Sequence, residues 1–191
     1  MAAKSIDSAI SPAGLIRQWI VPAIRFAREK GLRVAVLAGR PYHIDPEVHH
    51  GIATLFMQLG WVVVSEDAVA PFAERGRLHV LNQWTFHARI YAAAHFAASQ
   101  PDMDFVQLVS FGCGMDAISA DEARDILENA GRIYTQLKID EISNLGAARI
   151  RLRSLKAAVE SHAPQAPGAT IAHRQNKPQI LPPGQGVRFG A

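Results

Sequence analysis

Cysteine is all but missing: the 191 residues include 1, Cys113. One thiol forms no internal disulfide and closes no four-thiolate metal site, so any cysteine-ligated centre must borrow ligands from elsewhere. A basic excess is also missing from the body of the chain. Residues 1–160 carry 17 Lys and Arg against 17 Asp and Glu, and the net charge of +3 comes entirely from Arg174, Lys177 and Arg188. A neutral body argues against a nucleic-acid-binding domain. No apolar run approaches the roughly 20 residues of a membrane-spanning helix; the stretch Ile90–Ala98 is broken by His95. The opening residues, Met1 to Asp7, lack the apolar centre of a signal peptide. The expectation is a soluble, cytoplasmic protein with no membrane partner. Neither G-x-x-x-x-G-K-S/T nor G-x-G-x-x-G occurs, so nothing in the chain supports ATP or dinucleotide binding.

What is present is core material. Hydrophobic residues make up 49% and charged residues 19%, which excludes a mostly disordered chain. Ser11-Pro12 signals a helix start, and the helix is expected over 12–30 with a kink at Pro22. Arg33–Ala38 is a short apolar run rich in β-branched residues and reads as a strand buried on both faces. A loop over 39–46 and a helix over 47–59 follow, then a strand at Trp61–Ser65 and a loop from Glu66 to Gly76. Further on, a helix is expected over 78–99, a strand over Phe105–Ser110 and a turn over Phe111–Asp116. Ser119 and Glu122 have capping-box spacing and predict a helix from there to Asn129. A fourth strand, Arg132–Leu137, and a last helix to Ser161, capped by Asn144, complete the pattern. Residues 161–191 hold 5 prolines and 4 glycines without apolar period. The domain division is therefore 1–160, an α/β domain, and 161–191, a Pro/Gly-rich tail that is flexible or a truncated continuation. Strand–helix alternation predicts a three-layer, flavodoxin-like parallel sheet of about four strands in the order 2-1-3-4.

In such sheets ligands sit beyond the carboxyl ends of the strands, where the strand order reverses. For this order the reversal lies between the first and third strands. Gly39–Pro46 and Phe111–Asp116 are thus expected to meet at one crevice, with Lys138, Asp140 and Glu141 beside them. Cys113 sits between Gly112 and Gly114, which let a backbone approach a bulky ligand. A thiolate there is a soft ligand for iron–sulfur or metal; equally, a lone cysteine can be a buried thiol in a tight turn. His43 and Asp45 are either a ligand or proton-transfer pair or ordinary loop polarity. His49 and His50 are expected to cap or solvate a helix start. Arg149, Arg151, Arg153 and Lys156 read as a solvated helix face.

Four strings carry a family resemblance: GRPYHIDPEVHHGI (39–52), LNQWTFHARIYAAAHFAA (81–98), LVSFGCGMDAIS (108–119) and YTQLKIDEISNLGAARIRLRSL (134–155). They resemble the dehydratase-like segment of acyl-CoA dehydratase activase-related proteins, also called CoA-substrate-specific enzyme activases. That segment is similar to subunits of 2-hydroxyacyl-CoA dehydratases and benzoyl-CoA reductases. The resemblance spans about residues 20–160. It implies a 4Fe–4S cluster fed with low-potential electrons by an ATP-driven activator. It makes Cys113 the candidate metal ligand, with the other thiolates coming from outside this chain. Gly112 and Gly114 would give the cluster room, and Arg40, Tyr42 and His43 would line the opposite wall. The implied partners are an ATPase activator module, the remaining dehydratase-like segments or subunits, and an acyl-CoA. Two rivals stand beside this reading: a non-catalytic docking module for an activase or dehydratase, and a thiol enzyme pairing Cys113 with His43 as base.

Overall fold

The computed structural model describes residues 12–73, 76, 78–80, 82–110, 112, 114–139 and 145–161, with side chains from residue 18. In chain order the elements are α1 (Pro12–Glu29), β1 (Arg33–Ala38), a 3-10 turn (Pro41–Ile44), α2 (Pro46–His49), α3 (Ile52–Gln58) and β2 (Trp61–Ser65). They continue with α4 (Glu66–Val69), a second 3-10 turn (Ala70–Phe72), α5 (Thr85–Ser99), β3 (Met103–Val109), α6 (Gly114–Asn129), β4 (Tyr134–Lys138) and α7 (Gly146–Ser161).

The four strands form one sheet in the order β2-β1-β3-β4, and every pairing is parallel. This is the order that the strand–helix alternation predicts. The reason is visible along β1, whose successive side chains point to opposite faces. Val34, Val36 and Ala38 enter one core with Ile20, Ala27, Ile90, Tyr91, Ala94, Ala123 and Leu127 from α1, α5 and α6. Ala35 and Leu37 enter the other with Ile52, Phe56, Leu152 and Leu155 from α3 and α7. Both faces are covered by helices, which is why these strands read as continuous apolar runs rather than alternating ones.

Several boundaries differ from the sequence reading. The helix expected over 47–59 is two helices, because His50 and Gly51 take left-handed backbone, with φ of 49° and 82°. Glu66 to Phe72 is helical rather than loop. α5 starts at Thr85, not 78; Leu78 and Val80 pack against the first core without joining the helix. β3 begins two residues earlier than expected, at Met103. α6 begins at Gly114, so the Ser119–Glu122 pair lies inside it and caps nothing. Ser119 instead donates to the Asp116 carbonyl (3.0 Å), and Glu122 accepts the His79 backbone N–H (2.9 Å). Ser119 also accepts from Gln107 Nε2 on β3 at 3.2 Å, so contacts from outside the helix claim both side chains that a cap would use. Asn144 and the tail of 162–191 lie outside the described residues. Among the described residues, no helix is long and apolar enough to cross a membrane.

Candidate functional site

The carboxyl ends of β1 and β3 lie side by side, and the loops leaving them are tied together by side chains far apart in sequence. The tie begins with an absent side chain. A Cβ on Gly39 would lie 2.5 Å from His43 Nδ1 and 3.1 Å from the Leu108 carbonyl oxygen. Glycine there lets the 3-10 turn fold back and lay the His43 ring against the backbone, where it is only 1% exposed. Pro41 starts that turn, and Asp45 caps the next helix by accepting the Glu47 N–H at 2.8 Å. His43 and Asp45 are therefore turned to different partners.

The Arg40 backbone N–H donates to His43 Nδ1 (3.0 Å). That nitrogen carries no proton, so the neutral ring holds its proton on Nε2, which faces Ser110 Oγ at 3.2 Å. The Tyr42 hydroxyl reaches the same Ser110 oxygen at 3.3 Å. Burial pushes the His43 imidazole below its ordinary range; Asp116 opposes this and Arg40 adds to it. This is not an activated serine. An N–H, rather than a carboxylate, faces Nδ1, and burial outweighs the support that Asp116 and the Leu108 backbone give a protonated ring, so the hydroxyl gains no base. Both ring nitrogens are engaged, which also removes His43 as a base for Cys113.

The second tie is ionic. Arg40 Nε donates to Asp116 Oδ1 at 2.9 Å. Asp116 sits in the first turn of α6, where the helix dipole favours a negative charge. Its other oxygen, Oδ2, is buried without a partner. His87 on α5 is also buried, with Nε2 unpartnered and its ring 4.0 Å from that of Phe86. Burial pushes its imidazole down too, with Asp116 and then Arg40 as lesser influences. Ser110, Asp116 and His87 were not singled out by the sequence reading. A helix start placed at Gly114 would have flagged Asp116 as an acid in a first turn.

The turn carrying Cys113 lies between these ties. Cys113 itself is outside the described residues. Its neighbours Gly112 and Gly114 are exposed, and a Cβ added to either would meet nothing. Tyr42 is 44% exposed, whereas His43 is behind the wall rather than on it. Lys138 is exposed at the end of β4; Asp140 and Glu141 lie outside the described residues. His49 corrects an expectation, since it is buried with Nδ1 unpartnered, while His50 is exposed. Arg149, Arg151 and Arg153 are exposed, but Lys156 reaches back to donate to the Leu59 carbonyl at 2.8 Å. Among the described residues, no three His, Cys, Asp or Glu side chains converge as a metal-holding group.

Residues 13–69 match the CoA enzyme activase uncharacterised domain. That segment, α1 through α4, is similar to this family and includes Arg40, Tyr42, His43 and Glu66. It agrees with the resemblance at the level of a CoA enzyme activase relationship. Searches of curated proteins and of solved structures give no match.

Within the matched segment, Glu66 follows directly on β2 and is buried, with Arg89 Nη2 3.5 Å from Oε1 and Oε2 unpartnered. Burial, and then the neighbouring Asp67, push its carboxyl from 4.5 up to about 7. A carboxyl with a raised value in the fold contributes most below the unfolded value and loses that contribution as pH rises to the folded one. We therefore expect Glu66→Gln to be more stable than the parent at pH 8, by about 1–3 kcal/mol. The advantage should shrink toward pH 4.5, as urea unfolding at the two pH values would show. An advantage independent of pH would refute it.

Proposed function

We propose that this chain is an α/β module of a CoA enzyme activase and 2-hydroxyacyl-CoA dehydratase-type system, presenting Cys113 as one thiolate to a 4Fe–4S cluster completed by ligands from other segments or subunits. The observation that carries the reading is the pair of ties flanking the Cys113 turn. Ser110, held by Tyr42 and His43, lies on one side, and Asp116, held by Arg40, lies on the other. Both sit where strand order reverses, at the carboxyl ends of β1 and β3. The match of residues 13–69 to the CoA enzyme activase domain supports the system assignment.

One cysteine in the whole chain does not complete a cluster's ligand set. It fits a single contributed ligand, and the open space over Gly112 and Gly114 suits close approach of a bulky group. A bound cluster supplies a one-electron redox centre. The chain's own part is to fix the residues on either side of the turn, Ser110 and Asp116, and with Asp116 the Arg40 cation and the α6 N-terminus, both of which favour a thiolate brought beside them. ATP hydrolysis is assigned in this reading to a separate activator module.

A second reading, a docking module without a cluster, is favoured by the family match, which covers residues 13–69 and does not reach Cys113. Anaerobic co-expression with dehydratase-like subunits separates the two. Cluster ligation predicts that Cys113→Ala loses iron and the visible sulfur-to-iron absorption while co-purifying as before. Iron and absorption retained by Cys113→Ala would leave only docking.

A further inference from the structure

We draw no further inference here: the strongest candidate, the exposed apolar stripe of Trp19, Pro22 and Phe26 along α1, carries nothing, because the exposed charges beside it, Arg25, Glu29 and Lys30, are of both signs and nothing in the structure shows what covers it.

Discussion

Asp104→Ala is expected to destabilise the fold by about 3–5 kcal/mol, the range for breaking a buried ion pair from one side. Asp104 on β3 is 5% exposed and receives three donors. Arg33 at the start of β1 gives Nε to Oδ2 and Nη2 to Oδ1, both at 2.6 Å. Trp61 at the start of β2 gives Nε1 to the same Oδ2 at 2.7 Å. One carboxylate therefore pins the starts of three adjacent strands, at the end of the sheet opposite the loops of Gly39 and Ser110. Alanine leaves an indole N–H buried without an acceptor and a guanidinium without its counter-charge. The Arg33 side chain is 29% exposed and can recover some water, which places the effect nearer the lower bound. Urea unfolding checks this, with an unchanged dependence on denaturant. A loss below about 1 kcal/mol would mean that water replaces the carboxylate and that the pin contributes little.

Gly39→Ala is expected to cost about 2–4 kcal/mol, combining overpacking with hydrogen bonds lost where the β1 and β3 loops meet. The added methyl would collide with His43 and press on the Leu108 carbonyl. The carbonyl belongs to a central strand and cannot retreat. The His43 ring is held from both nitrogens, so moving it breaks its bonds to Arg40 and Ser110 together. The Nε2–H resonance of His43, slow to exchange in the parent, should broaden or vanish in the variant, alongside a lower urea midpoint. A variant of parental stability with that resonance intact would show that these loops yield at no cost and that Gly39 is not what seats the ring.

The sheet was legible because its signals are local. A run such as Val34–Ala38 is apolar at every position, as a strand buried on both faces must be. The convergence of the β1 and β3 loops followed from topology alone. The site's actual partners did not. Ser110 looked like the end of a strand and Asp116 the end of a turn, because nothing near them in sequence marks their partners: Tyr42, His43 and Arg40 lie 67 to 76 residues away. His43 was placed on the crevice wall, but the missing side chain at Gly39 let it sink behind that wall. The capping-box spacing at Ser119 misled for a related reason: a local pattern has no knowledge of the His79 backbone that arrives to take Glu122.

Period and composition by themselves determined four strands, their parallel pairing and the meeting of the loops that leave the first and third, since burying apolar side chains on two faces leaves few alternatives. Only packing decided which polar groups meet there. Hydrogen bonds and ion pairs act over about 3 Å and need direction, so a shift of one helical residue at Gly114 or one methyl at Gly39 reassigns them without altering the apolar pattern that builds the sheet.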